Sequence, residues 1–168
     1  MNESKDISIR PMKADDWKAV SQIYAEGIAT GLATFEKTVP TYESWDLAHM
    51  KSCRLVAVQA NLILGWAALS PVSSRCVYGG VAEVSVYTGK DSRGMGIGKL
   101  LMETLIAESE KEGIWTLQSG IFPENKGSIR LHEKVGFRHI GKRERVGNLD
   151  GIWKDNELFE RRSKVVGL

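Results

Sequence analysis

The segment KDSRGMGIGKLL, residues 90–101, places glycines at positions 94, 96 and 98, directly before an apolar helical run. A glycine-rich turn that opens a helix brings unpaired backbone N–H groups to one point, where the helix dipole adds positive potential. Glycine suits such a turn because a side chain would hold a phosphate away from the backbone, and because some turn positions require a positive φ. The segment therefore predicts a phosphate-binding turn.

Two common nucleotide-binding motifs do not fit this segment. The dinucleotide fingerprint G-x-G-x-x-G needs a third glycine where the chain has Lys99 or Leu101, and the P-loop needs Ser or Thr where it has Leu100. What remains is R-x-x-G-x-G, from Arg93 to Gly98, with Arg93 and Lys99 as flanking cations. On its own this short pattern fits a flexible turn as well as a binding loop.

The composition predicts one globular domain over residues 1–168. A chain of 168 residues with 42% hydrophobic side chains can bury one substantial core. The net charge is +2 and no run of five like charges occurs, so we expect neither nucleic acid nor membrane as a partner. Residues 1–12 lack an apolar leader segment, which favours a cytoplasmic protein. Cys53 and Cys76 have no histidine at ligand spacing, and this predicts reduced, partly buried thiols and no metal site.

Hydrophobic periodicity predicts a mixed α/β fold, with about seven strands in one sheet and about four helices on its faces. Strands are predicted at residues 7–12, 54–60, 62–71, 81–88, 116–121, 136–146 and 151–163, with a hairpin turn near Asn61. Helices are predicted at residues 15–28, from Thr41 to about residue 51, from Gly96 to about Glu112, and at residues 125–135. Asp15 or Asp16 is placed to cap the first helix.

A second motif follows the glycine segment after one predicted helix and one predicted strand. The pattern N-x-x-S/A-x-x-L-Y/H-x-x-x-G-F is matched by Asn125, Ser128, Leu131, His132, Gly136 and Phe137. Together the two motifs resemble the acetyl-CoA site of the GNAT superfamily of N-acetyltransferases. The resemblance extends from about Ile7 to Arg161 and implies the GNAT fold, with a splayed strand pair at the cofactor site.

Within that superfamily the chain looks most like the phosphinothricin acetyltransferase branch. This likeness is carried by residues 23–36, residues 82–87 and the G-x-W-x-D pattern of Gly151, Trp153 and Asp155. It implies transfer of an acetyl group from acetyl-CoA to the α-amine of a small amino acid, such as phosphinothricin or methionine sulfoximine, within a ternary complex. It also implies a possible homodimer.

The resemblance implies a set of acetyl-CoA-binding residues. The pyrophosphate would rest on the turn formed by Arg93, Gly94, Met95, Gly96, Ile97, Gly98 and Lys99. The pantetheine arm would pair like an added strand with the backbone of Val86, Tyr87 and Thr88. Asn125 would contact the cofactor from the far wall, although its residue type equally fits a helix N-cap.

Acetyl transfer to an amine needs a base, a donor for the oxyanion and an acid for the departing thiolate. Glu83 lies in an apolar strand, where a buried carboxylate would be either a paired structural charge or the base, and the resemblance favours the base. An amide near Val84 to Val86 would meet the oxyanion. His132 occupies the place of a proposed acid, but a histidine that only packs is an equally good interpretation. The other two histidines, His49 and His139, are expected at the surface.

Acceptor selection is assigned to Phe35, Arg75 and Tyr78, as a ring over an apolar chain, an anion partner and a hydrogen-bond donor. A solvated arginine and two core aromatics are the alternatives. Val81 and Asn148 depart from the family, which has a polar residue and a lysine there, and Gly79 and Gly80 would add flexibility. Protein N-terminal or lysine acetylation, or a non-catalytic acyl-CoA-binding module, remain alternative functions.

Overall fold

The computed structural model describes residues 6–168, so residues 1–5 of the segment expected to lack a leader lie outside the described part of the chain. The strands are β1 (Ser8–Pro11), β2 (Leu55–Gln59), β3 (Leu62–Pro71), β4 (Val81–Thr88), β5 (Thr116–Ile121), β6 (Arg138–Leu149) and β7 (Ile152–Arg162). The helices are α1 (Trp17–Ala29), α2 (Tyr42–Ala48), α3 (Ile97–Lys111) and α4 (Lys126–Lys134). No helix within residues 6–168 is long and apolar enough to cross a bilayer.

All seven strands belong to one sheet, in the order β1-β2-β3-β4-β5-β7-β6. Every neighbouring pair is antiparallel except β4 and β5, which run parallel. The parallel pair joins only Val81–Glu83 to Thr116–Gln118, although β4 continues to Thr88. The mixed seven-stranded sheet with four helices is confirmed, and the two central strands diverge beyond Glu83.

The helix start at Thr41 and the hairpin turn near Asn61 form as predicted, but the first helix starts differently. The Thr41 hydroxyl caps α2 by accepting from the Ser44 N–H at 3.2 Å. Ala60 and Asn61 both have positive φ, as a tight hairpin turn requires. Asp16 stands at the N-cap position of α1, yet its carboxylate binds Arg10 at 2.8 Å and the Lys13 N–H at 2.7 Å instead of a helix amide.

The two faces of the sheet are packed with different side chains. Helix α3 covers one face with an aliphatic cluster that includes Leu101, Leu105 and the strand residues Ala82 and Val84. Helices α1 and α2 cover the other face of β2–β4 with an aromatic cluster built from Tyr24, Trp45, Trp66 and Tyr87. Because side chains alternate along a strand, Glu83, Ser85 and Tyr87 share this second face.

Two expectations about exposure were wrong. His49, expected at the surface, is half-buried because its ring stacks on Trp45 with centroids 4.3 Å apart, and burial lowers its pKa. His139 is exposed, as expected, and lies 2.6 Å from Glu157. Cys53 is buried but Cys76 is exposed, because it lies in a one-turn 3₁₀ helix in the loop between β3 and β4.

Gly27 provides a test of the aromatic cluster. A Cβ at this position would lie 2.6 Å from the ring of Tyr87, which stacks on Trp66 at a centroid distance of 4.9 Å. We expect Gly27→Ala to lower the free energy of unfolding by about 1–3 kcal/mol, since the Tyr87 ring can move away only by giving up its contacts with Tyr24 and Trp66. Urea denaturation followed by tryptophan fluorescence measures the change.

Gly127→Ala is the matched control, because this helical glycine in α4 has no atom within 4 Å of an added Cβ. The control should raise the free energy of unfolding by up to about 1 kcal/mol through helix propensity and unfolded-state entropy. Equal effects of the two substitutions would contradict the proposed close packing of Gly27 on Tyr87.

Candidate active site

A cleft of about 1010 Å³ occupies the region where β4 and β5 diverge. It is lined from one face by residues of α3 and α4, among them Gly98 and Leu131, and from the other by Glu83, Gln118 and Phe35. Since β4 and β5 no longer pair beyond Glu83, the cleft passes between them and is lined by residues from both faces of the sheet. The opening predicted for a cofactor arm is therefore present in this chain.

The hydrogen-bond pattern of β4 shows which backbone groups face this opening. Val81 accepts from Val72 and Gly89 donates to Leu64, so odd-numbered residues of β4 bond to β3. Because bonded and non-bonded pairs alternate in an antiparallel pair, even-numbered residues direct their N–H and C=O groups toward β5. Val84 flanks the last parallel pair, and the next two such residues, Val86 and Thr88, face the gap.

The glycines of the turn serve two different needs. Gly94 and Gly96 both have φ of +78°, in the left-handed region that glycine adopts without strain. Gly96 is the N-cap of α3 and has no side chain to bond the first helical amides, which therefore point outward from the turn. Gly98 brings α3 close to α4, since a Cβ there would lie 3.0 Å from Leu131.

Cations surround the mouth of the turn. Arg93 and Lys99 line the cleft, as the sequence predicts, and two further basic side chains, Arg130 and Lys134 of α4, line it too. Lys99 has only a long contact of 3.7 Å to Glu103. This end of the cleft therefore offers positive charge and helix amides to an anion.

Glu83 lies at the other end of the cleft and is exposed, not buried as its apolar neighbours suggested. The alternation of β4 places Ala82 and Val84 in the core and turns Glu83 to the open face. Gln118, its neighbour on β5, donates to its carboxylate at 3.4 Å. No cation of the described residues is paired with Glu83, so the interpretation as a paired structural charge is wrong.

His132 is only 1% exposed. Its Nδ1 lies 2.7 Å from the Ser128 carbonyl oxygen, so this nitrogen carries the proton and donates. Its Nε2 is buried without a hydrogen-bond partner among the described residues. Burial lowers the pKa of His132, and the bond to Ser128 works against that effect. The neutral ring thus presents Nε2 as an acceptor.

Asn125 combines a structural role with its place on the cleft wall. Its Oδ1 accepts from the Ser128 N–H at 3.2 Å and caps α4, while its Nδ2 donates to the Leu32 carbonyl at 3.2 Å. Leu32 belongs to the loop of residues 30–41, which joins α1 to α2. Asn125 therefore ties that loop to the start of α4.

The three residues assigned to the acceptor do not meet. Phe35 lines the cleft, where its ring packs edge-on against Phe122 at 4.8 Å, so it is not a core aromatic. Arg75 and Tyr78 are exposed on the β3–β4 loop and pack on each other at 5.6 Å, outside the residues that line the cleft. Arg75 and Tyr78 are therefore not in a position to contact an acceptor in the cleft of the same chain, as was predicted for them.

The structure also shows the surroundings of the remaining residues that the sequence analysis singled out. The side chain of Tyr87 is held by the aromatic cluster, and Met95 is exposed outside the cleft. Gly80 is not a flexible link, because a Cβ there would lie 2.0 Å from the ring of Trp115. Asn148 accepts from the Gly151 N–H at 2.9 Å and closes the β6–β7 hairpin.

Gln118, Arg143 and Asn156 are among the polar cleft residues that sequence reasoning missed. Gln118 could have been found from its position in the strand predicted at residues 116–121. Arg143 and Asn156 could not be placed from the sequence, because the face of the sheet that each occupies depends on the register of β6 and β7. No group of His, Cys, Asp and Glu suited to a metal ion occurs among residues 6–168.

Comparison with known proteins agrees with this architecture. Residues 17–137 match the model of the acetyltransferase (GNAT) family. A phosphinothricin N-acetyltransferase from Streptomyces coelicolor is 32% identical, over 96% of this chain and 99% of its own length. An L-methionine sulfoximine/L-methionine sulfone acetyltransferase from Pseudomonas paraeruginosa is 27% identical, over 88% of this chain and 90% of its own.

A solved structure extends the likeness to three dimensions. The phosphinothricin acetyltransferase from Sinorhizobium meliloti, crystallised with acetyl-CoA, superimposes with a TM-score of 0.86 at 26% identity. The superposition covers 96% of this chain and 90% of that one. With the family match spanning most of the chain and both faces of the divided sheet, this protein belongs to the GNAT family of acetyltransferases and is an N-acetyltransferase.

Proposed function

We propose that the protein transfers the acetyl group of acetyl-CoA to the α-amine of a small amino acid of the phosphinothricin or methionine sulfoximine type. The observation that carries this proposal is the opening between β4 and β5, which has the glycine turn at one end and Glu83 at the other. The names of the relatives support the same substrate class.

The cleft residues fit acetyl-CoA along its length. The amides after Gly96, together with Arg93 and Lys99, would hold the pyrophosphate. From Thr88 to Glu83 the strand extends about 17 Å at an ordinary rise per residue. Along this path Val86 and Thr88 offer backbone groups with which the amides of the pantetheine arm would pair. The backbone of Tyr87, which was also predicted to pair with the arm, is turned toward β3 and bonds there.

Glu83 is proposed as the base that removes a proton from the acceptor ammonium group, directly or through water. The neutral amine then attacks the thioester carbon, and the carbonyl oxygen becomes an oxyanion. As this intermediate collapses, the C–S bond breaks, and the nitrogen loses its extra proton, which passes to the departing CoA thiolate directly or through water. The Val86 N–H is the amide that the strand pattern leaves facing the gap, so we assign the oxyanion to it. The two groups act within one ternary complex, without an acyl-enzyme.

A small acceptor is favoured over a peptide by the loop of residues 30–41. Asn125 holds this loop at Leu32, Phe35 packs on Phe122, and Lys37 pairs with Asp150 at the tip of the β6–β7 hairpin. The loop therefore closes part of the cleft mouth. Homodimer formation and a cytoplasmic location stay predictions from the sequence.

The proposed base is tested with Glu83→Gln, which retains the shape of the side chain and removes its basicity. We expect kcat at pH 7 to fall about 100-fold or more, as for other general bases, with partial recovery at higher pH where the amine deprotonates in solution. Thiol release from acetyl-CoA, with methionine sulfoximine and phosphinothricin as acceptors, measures the rate.

Glu36→Gln removes the same charge from another exposed carboxylate of the cleft and is the control. It should retain kcat within about threefold, because Glu36 has no assigned proton to move. If Glu83→Gln keeps full turnover at neutral pH, the base assignment is lost.

The turn is tested with Gly96→Ala. Alanine at a φ of +78° strains the backbone by about 1 kcal/mol or more, and the relaxed turn no longer aims its amides at one point. We expect the Kd of CoA, measured by isothermal titration calorimetry, to rise about tenfold, the equivalent of roughly 1.4 kcal/mol.

Gly113→Ala imposes a similar strain, φ +77° with open space around the Cβ, near the opposite end of α3. This control should lose comparable stability and bind CoA as the wild type does. Equal weakening of CoA binding by both substitutions would mean that stability, and not the turn, governs binding.

The predicted acid, His132, is constrained by its geometry, because Nε2 can donate only from the imidazolium form. Burial lowers its pKa from the ordinary histidine value, which favours the neutral ring over the imidazolium form. We therefore expect His132→Phe to reduce kcat less than about tenfold between pH 7 and 8.5, compared with the 100-fold or more typical of an essential acid. Thermal melting shows whether the variant is folded, and a larger loss in a folded variant would establish His132 as the acid.

A further inference from the structure

The open face of the sheet continues beyond the base onto the last two strands. Glu83 pairs with Gln118 across β4 and β5, and Arg143 pairs with Asn156 across β6 and β7. Paired residues lie on the same face of a sheet, and the side chain of Asn156 covers Gly120, two residues beyond Gln118. Although Glu83, Gln118, Arg143 and Asn156 belong to four different strands, they line one continuous cleft.

Arg143 contributes a positive charge that the chain itself does not neutralise. Its side chain is exposed to the cleft, and the guanidinium forms no ion pair or hydrogen bond with any of the described residues. Its neighbour Lys142, which points to the opposite face, lies 3.8 Å from both Asp155 and Glu157. A guanidinium left without an anion inside a binding cleft is available to an anionic group of the substrate.

Asn156 contributes an unpaired polar atom beside that charge. Its Oδ1 is buried and has no hydrogen-bond partner within residues 6–168. The amide fits only because Gly120 has no side chain, since a Cβ there would lie 2.7 Å from Nδ2 of Asn156. A buried acceptor without a donor is costly, and a substrate N–H would satisfy it.

We infer that Arg143 and Asn156 form the acceptor subsite, in which Arg143 binds an oxyanion of the substrate and the Asn156 amide, turned toward the cleft that it lines, accepts from the substrate amine. The oxyanion is the α-carboxylate of the amino acid or, in phosphinothricin, the phosphinate. This assignment rests on the proposed function and gives Arg143 the role that the sequence assigned to Arg75. With the anionic end held on β6, the amine is directed toward Val86 and Glu83, where the thioester lies.

The test compares two acceptors that differ only in the anion, methionine sulfoximine and its α-carboxamide, in wild type and in Arg143→Gln. The wild type should prefer the carboxylate about 10- to 100-fold in kcat/KM, as expected for one charge-assisted contact, and the variant should lose this preference. The carboxamide should react equally well with both proteins, and the Kd of CoA should not change. Arg143→Lys should restore part of the preference.

Lys142→Gln removes a neighbouring positive charge from the opposite face and is the matched control, with the wild-type preference retained. Asn156→Ala should raise KM for both acceptors alike, because both present the same amine. If Arg143→Gln instead lowers kcat/KM for phosphinothricin much more than for methionine sulfoximine, the phosphinate is the oxyanion that Arg143 binds.

The outcomes separate this inference from the proposed function. An active wild type overturns the subsite alone if its carboxylate preference survives Arg143→Gln without a selective loss of phosphinothricin turnover, or if the preference disappears in Arg75→Gln instead. A wild type that releases no thiol with any amino acid acceptor overturns the proposed function and the subsite with it.

Discussion

The three-residue pairing of β4 with β5 is the constraint on which the rest of the structure depends. On their other sides both strands are fully engaged, β4 with β3 over seven residues and β5 with β7 over six. The opening is therefore held by two rigid half-sheets and does not need a mobile segment to form it. An unpaired stretch of backbone inside a sheet is costly unless something pairs with it, and in the proposed complex the amides of the cofactor arm would do so.

The two helical layers keep this opening in shape by different means. On the α3 side, aliphatic chains such as Leu101 and Leu105 fill the core up to the glycine turn. On the α1 side, the Tyr87 ring packs between Trp66 and Gly27, and this packing opposes rotation of β4 about its own axis. Fixing Tyr87 also fixes its neighbours Val86 and Thr88, whose backbone groups face the gap. Packing far from the chemistry thus determines the direction of the groups that perform it.

Local features of this fold were predictable from the sequence, and features that depend on register were not. The turn glycines, the Thr41 cap and the Asn61 hairpin are set by residues close together in the chain, and all three were predicted. Glu83 was identified by its residue type, but its exposure depends on which face of β4 the open half-sheet uncovers. Arg75 and Arg143 are both basic residues in polar segments, and only the pairing of β6 with β7 shows which of them reaches the cleft.

The opening between β4 and β5 also has a consequence for how substrates enter and products leave the cleft. The glycine turn opens on the α3 and α4 side, whereas Glu83, Asn156 and Arg143 belong to the opposite side. In the proposed complex, CoA and the acceptor would therefore enter the opening from opposite faces of the sheet. Neither would have to pass the other, so that the N-acetylated product could leave before CoA and the two substrates could bind in either order.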